Sequence, residues 1–130
     1  MFNQTRIFIV KVASRCNLAC SYCYMYFHPD QSWKKQPKFI SKETVGRLGS
    51  RLNEHLLSLN GGKVMVVAHG GEPLLHPDLD YFFGEIKRTV GNVEFAIQTN
   101  GTLFNEKTLA ILNKYSVHIG VSIDGNREAH

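Results

Sequence analysis

A chain of 130 residues, 43 % hydrophobic and 20 % charged, is the size of one ordinary domain and has the composition of a globular protein with a core. Its formal net charge of +4 is mildly basic, and no basic helix or aromatic-interleaved basic stripe accompanies it, which argues against a nucleic-acid binder. No apolar run is long enough to span a bilayer, and Met1-Phe2-Asn3-Gln4-Thr5-Arg6 lacks the marks of a signal peptide, so the expectation is a cytoplasmic protein without a membrane partner.

Ile7 to Ala13 is a short β-branched apolar run that reads as a buried strand. Ser14 to Pro37 reads as a long irregular loop, and its load of Tyr22, Tyr24, Tyr26, Phe27 and Trp33 argues against disorder. Lys34, Lys35, Lys38 and Lys42 follow; they suit either a solvated surface or attraction of an acidic partner. Ser41 can cap a helix whose buried face carries Val45, Leu48, Leu52, Leu56 and Leu59, ended by Asn60-Gly61-Gly62. Lys63 to Ala68 is a second strand, leading into His69-Gly70-Gly71-Glu72-Pro73. Leu79, Phe82, Phe83, Ile86 and Val90 mark a second helix, and Val93 to Gln98 a third strand that ends at Thr99-Asn100-Gly101. Asn105 caps a third helix with Leu109 and Leu112, and Val117 to Ile123 is a fourth strand ending at Asp124-Gly125. Apolar strands alternating with helices predict an α/β fold with a parallel sheet. Right-handed crossovers would set the helices outside a curved sheet or partial barrel. One unit is expected over residues 1–130, truncated after the fourth strand, because an apolar parallel edge strand is a liability for a free domain.

The glycine-rich and polar punctuation falls at the C-terminal ends of all four strands, the side on which α/β folds bind ligands. All three cysteines, Cys16, Cys20 and Cys23, lie in the first of these loops. An odd count argues against a disulfide framework, and clustered thiols in a reducing compartment bind metal or do chemistry. Three thiolates at this spacing suit an iron–sulfur cluster with one iron left open; a zinc site completed by His28 and simple buried thiols are the alternatives.

Cys16-Asn17-Leu18-Ala19-Cys20-Ser21-Tyr22-Cys23 on the loop after a first strand resembles the signature of the radical S-adenosylmethionine (SAM) superfamily. His69-Gly70-Gly71-Glu72-Pro73-Leu74-Leu75 resembles its GGEP motif. Gln98-Thr99-Asn100-Gly101-Thr102 and Val121-Ser122-Ile123-Asp124-Gly125 are similar to motifs of the peptide- and protein-modifying branch, which usually carries a C-terminal SPASM extension whose cysteines are absent here. A narrower resemblance, through Lys11 to Cys16, Tyr22 to Tyr26 and Asp30 to Trp33, is to enzymes that form three-residue cyclophanes in ribosomally made peptides.

The resemblance implies the N-terminal part of a partial (βα)6 TIM-like barrel, a 4Fe–4S cluster on Cys16, Cys20 and Cys23, and SAM chelated to the open iron. It implies contacts to SAM from Tyr22 near the adenine, from Gly70, Gly71, Glu72 and Pro73 near the amino group, and from Gln98, Asn100, Ser122 and Asp124 near the ribose. A ribosomal precursor peptide as substrate and a reductant such as flavodoxin or ferredoxin would complete the reaction. Sulfatase-type maturation and a non-catalytic cluster-binding fragment are the rival readings.

Overall fold

The computed structural model describes residues 4–18 and 31–123. Four strands, β1 (Ile7–Ala13), β2 (Val64–Gly70), β3 (Val93–Thr99) and β4 (His118–Val121), form one sheet in the order β1-β2-β3-β4. Every pairing is parallel. Helices α1 (Lys42–Ser58), α2 (Leu79–Val90) and α3 (Glu106–Lys114) make the crossovers. This is the α/β arrangement expected from the alternation of apolar strands and helical stripes, with the strand succession of the first part of a βα barrel.

Burial alternates strictly along β2 and β3. Val64, Val66, Ala68, Val93, Phe95 and Ile97 pack into one core with Val45, Leu52 and Leu56 of α1, Phe82, Phe83, Ile86 and Val90 of α2, and Leu112 of α3. Each of the Val, Leu, Ile and Phe side chains among them contributes about 1.5–3 kcal/mol when taken fully from water. The intervening residues, Met65, Val67 and His69 on β2 and Glu94, Ala96 and Gln98 on β3, are only half-buried, so the sheet has one covered face and one open face. Sequence apolarity hid this asymmetry, because the open face also carries Ile7, Ile9, Met65 and Val67.

The helix starts follow the caps. Ser41 Oγ accepts from Thr44 N at 3.1 Å. Asn105 Oδ1 accepts from Thr108 N at 2.8 Å while Thr108 Oγ1 accepts from Asn105 N at 2.9 Å, a reciprocal capping box. The end of α3 is fixed to the start of α2 by Tyr115, whose hydroxyl donates to Asp80 Oδ1 at 2.7 Å and whose ring packs on Phe83.

Three features depart from the sequence expectation. The fourth strand is shorter than Val117–Ile123, although Ser122 N still donates to Thr99 O at 2.8 Å. Leu109 is exposed, because α3 buries only Leu112 deeply. Within the expected loop Ser32–Lys35 forms a 3₁₀ turn, and just after it Phe39 makes an antiparallel bridge to Ala13. Ser14 N donates to Lys38 O at 2.8 Å and Ile40 N to Val12 O at 3.0 Å, which covers the outer edge of β1 where it enters the cysteine loop.

His76 pins this segment. Its Nε2 faces Ile40 O at 3.4 Å, and its Nδ1 accepts from Asp78 N at 3.0 Å. Burial holds the imidazole below its ordinary value of 6.5, against the opposing pull of the Ile40 carbonyl and Asp78. The unfolded chain therefore binds the proton more readily than the folded one. The His76 contribution is complete above pH 6.5 and is lost as pH falls from 6.5 through the folded value. Urea midpoints measured across this range decline toward acid in the native chain, and His76→Gln flattens the decline.

Candidate functional site

The site assembles where the C-terminal ends of β1, β2 and β3 meet. Beyond β1, the Arg15 guanidinium donates to Ser14 O at 3.1 Å, Ser14 Oγ at 2.8 Å and Lys34 O at 3.3 Å. Ser14 Oγ in turn donates to Pro37 O at 2.6 Å. Arg15 thus clamps the entry to the cysteine loop against the 31–41 segment, a role its sequence position does not distinguish from a surface charge. Cys16 follows, half-buried, with Leu18 N donating to its Sγ at 3.4 Å and Asn100 Nδ2 approaching the same sulfur at 3.8 Å.

At the end of β2 the register with β1 shifts between Lys11 and Ala13, and Gly70 sits opposite Ala13. Gly70 has φ +127°, and a Cβ there would lie 2.1 Å from Ala13 O. Only glycine permits this approach. The chain then continues beside the cysteine loop: Gly71 N donates to Ala13 O at 3.0 Å and Glu72 N to Arg15 O at 2.9 Å. Pro73 is buried at the first position of the 3₁₀ turn Pro73–Leu75, where its missing N–H costs nothing.

Glu72 caps that turn from a fully buried position. One carboxyl oxygen accepts from Leu74 N at 3.1 Å and from Thr99 Oγ1 at 2.5 Å, and the other accepts from Asn100 N at 2.8 Å. The carboxyl therefore ties the loop after β2 to the end of β3, and in this conformation it presents no surface to a ligand.

Asn100 extends the tie to the first loop. Its Nδ2 donates to Asn17 Oδ1 at 2.8 Å, and its Oδ1 accepts from Thr102 N at 3.0 Å and from Thr102 Oγ1 at 2.7 Å. Asn17 Nδ2 donates to Thr102 Oγ1 at 2.8 Å and closes the circuit. Thr99, Asn17 and Thr102 belong to the motifs, but the sequence alone does not mark them as site residues. The usable signal for Thr99 was its place on the buried side of the β3 alternation, where a hydroxyl needs a partner. Between β3 and β4, Gln98 Nε2 donates to Ser122 Oγ at 2.6 Å. The Gln98 side chain lies over Gly120, where a Cβ would collide with its Oε1.

Of the residues expected from the sequence to form the site, Cys16, Gly70, Gly71, Glu72, Pro73, Gln98, Asn100 and Ser122 lie together at the strand ends. Cys20, Tyr22, Cys23, His28 and Asp124 lie outside the described residues.

The family model described as the radical SAM superfamily matches residues 10–130. The chain belongs to the radical SAM superfamily.

Among its relatives is the serine-type anaerobic sulfatase-maturating enzyme of Bacteroides thetaiotaomicron, 32 % identical over 132 residues, with 95 % of this chain and 30 % of that protein covered. Another is the antilisterial bacteriocin subtilosin biosynthesis protein AlbA of Bacillus subtilis, 28 % identical, with 92 % of this chain and 25 % of that protein covered. The solved structure of anSMEcpe with bound AdoMet and a Cp18Cys peptide superposes with a TM-score of 0.75 at 26 % identity, covering 95 % of this chain and 33 % of that one. This radical SAM chain spans about a third of the length of such relatives.

Radical SAM proteins use a 4Fe–4S cluster and SAM as cofactors, and the residues described here fit that pair. The Cys16 sulfur receives N–H groups from Leu18 and Asn100, the kind of hydrogen bonding that cluster sulfurs accept and that tunes their potential. The Gly70–Gly71 turn leaves backbone, without side chain, along the edge of the same loop. Among the described residues, no helix is long and apolar enough to cross a membrane.

Proposed function

We propose that this chain is the SAM-binding part of an enzyme that modifies a ribosomally made peptide by radical chemistry, forming a carbon–carbon cyclophane crosslink. The observation that carries the reading is the joining of Cys16, Glu72 and Asn100 into one hydrogen-bonded unit at the converging strand ends. Cys16, Cys20 and Cys23 would hold the cluster. Backbone at Gly70 and Gly71 would meet the SAM amino group. Gln98, Asn100, Ser122, Asp124 and Tyr22 would serve its ribose and adenine, and Glu72 with Pro73 would hold the loop that carries Gly70 and Gly71. When bound, the reduced cluster and SAM supply a 5′-deoxyadenosyl radical that takes a hydrogen atom from a substrate carbon. The protein contributes orientation and exclusion of water from the open sheet face. A low-potential donor such as flavodoxin or ferredoxin would deliver the electron, and exposed Lys35 and Lys38 beside the cysteine loop favour an acidic one.

The peptide substrate is supported by a sulfatase-maturating relative, a bacteriocin-biosynthesis relative, and a superposable structure solved with a bound peptide. The 32 % identity to a sulfatase-maturating enzyme keeps oxidation of a serine or cysteine to an aldehyde as the second reading.

The test uses the full-length protein, reduced anaerobically with SAM and a panel of synthetic peptides. Its peptides carry either an aromatic residue two positions from a residue with an open β-carbon, the two ends of a three-residue segment, or a single serine or cysteine. A crosslink removes two hydrogens from an aromatic-bearing peptide and leaves it inert to hydrazide. Loss of two hydrogens from a serine peptide with hydrazide reactivity selects the second reading. Formation of 5′-deoxyadenosine with no change in any peptide contradicts both.

A further inference from the structure

One side chain on the open sheet face has no counterpart in this account. His69 lies on β2 directly before Gly70, paired in register with Lys11 of β1. The β2 alternation sets it with Met65 and Val67 on the open face, away from the helices. One step past the Ala68–Ile97 pair, its neighbour on β3 is Gln98, which turns toward β4 to reach Ser122. Among the described residues, His69 therefore has a cation on one side and no hydrogen-bonding group turned toward it on the other.

The two ring nitrogens differ. Among the described residues, Nδ1 is buried and has no hydrogen-bond partner, while Nε2 is not one of the buried unpartnered atoms. An orphaned buried N–H is rarer and worse tolerated than an orphaned acceptor, so the single proton of the neutral ring belongs on Nε2. Burial first, and the charge of Lys11 second, lower the affinity of the ring for a further proton. The result is a neutral imidazole, fixed by its surroundings, that presents one N–H donor at the strand end where the SAM loops converge. A buried polar atom without a partner costs stability, and no described residue offsets the cost at Nδ1.

We propose that His69 is a substrate-binding residue whose Nε2–H donates to a backbone carbonyl of the peptide as it crosses the open face beside the SAM site. This rests on the peptide reading above. A peptide carbonyl suits the donor better than an anion, since the ring carries no charge, and it leaves Lys11 free to meet a carboxylate or the peptide C-terminus.

The experiment uses the full-length protein and whichever panel peptide the wild-type enzyme converts. His69→Phe keeps the ring and removes the donor; His69→Gln restores a donor near the Nε2 position. In His69→Phe the melting temperature stays level or rises, and formation of 5′-deoxyadenosine without peptide stays within about two-fold of wild type. The peptide KM rises about tenfold, the scale of one hydrogen bond, and His69→Gln recovers most of that loss. An unchanged KM in His69→Phe overturns the proposal. So does an equal fall in peptide-free 5′-deoxyadenosine, which would assign His69 to SAM instead. If the wild-type protein converts no peptide, the peptide reading itself fails and takes this proposal with it.

Discussion

Glu72→Ala lowers the stability of the chain by about 4 kcal/mol or more and uncouples the cysteine loop from β3. The carboxyl is fully buried and holds three donors: Leu74 N, Thr99 Oγ1 and Asn100 N. Truncation leaves all three without a partner, at about 1–3 kcal/mol each, and adds a cavity where the side chain stood. The loss spreads, because Asn100 is the residue that reaches Asn17 and the Cys16 sulfur. Glu72→Gln keeps the volume and one acceptor oxygen but turns an amide NH2 toward one of the donors, so its loss is about half as large. Urea denaturation measures both. A Glu72 that served only the SAM ammonium would give the opposite pattern: Ala and Gln variants of native stability with weakened SAM binding.

Gly70→Ala is the second large effect, expected at about 3–5 kcal/mol. At φ +127° a residue with a side chain is strained by about 1–3 kcal/mol. The added methyl would also sit 2.1 Å from Ala13 O, a backbone atom that cannot swing aside. β1 and β2 must part at that point, which breaks the Gly71 N to Ala13 O hydrogen bond and shifts Cys16 relative to Glu72. Gly46→Ala supplies a contrast of opposite sign. Gly46 lies inside α1 with nothing within 4 Å of an added Cβ, so alanine there stabilises by about 0.5–1 kcal/mol. Thermal denaturation of the two variants separates a glycine needed for close approach from one that merely weakens a helix.

These two positions show what the sequence made legible. The strands and helices were readable because apolar residues recur with the right period and because Ser41 and Asn105 carry caps that admit little else. The site was readable as a place, since all four motifs fall at strand ends. The division of labour inside it was not. Glu72 and Asn100 look, as letters, like groups that face a ligand, yet both are held by neighbours far away in sequence, Thr99 for one and Asn17 for the other. Such partners come from register, and register is set by the whole parallel sheet rather than by any local pattern. The antiparallel bridge of Phe39 to Ala13 was hidden for the same reason: a single pairing leaves no periodicity. His69 was visible as a histidine before two glycines, but its orphaned Nδ1 emerges only once β1 lies beside it.

In the proposed function Cys16 belongs to a cluster with one iron open to SAM. The most direct measurement is the EPR spectrum of the full-length protein, reconstituted anaerobically with iron and sulfide and reduced, recorded with and without SAM. The expected result is a 4Fe–4S signal that changes shape when SAM is added and is lost in Cys16→Ala. A chain that takes up zinc instead of a cluster, or a cluster signal that ignores SAM, would contradict it.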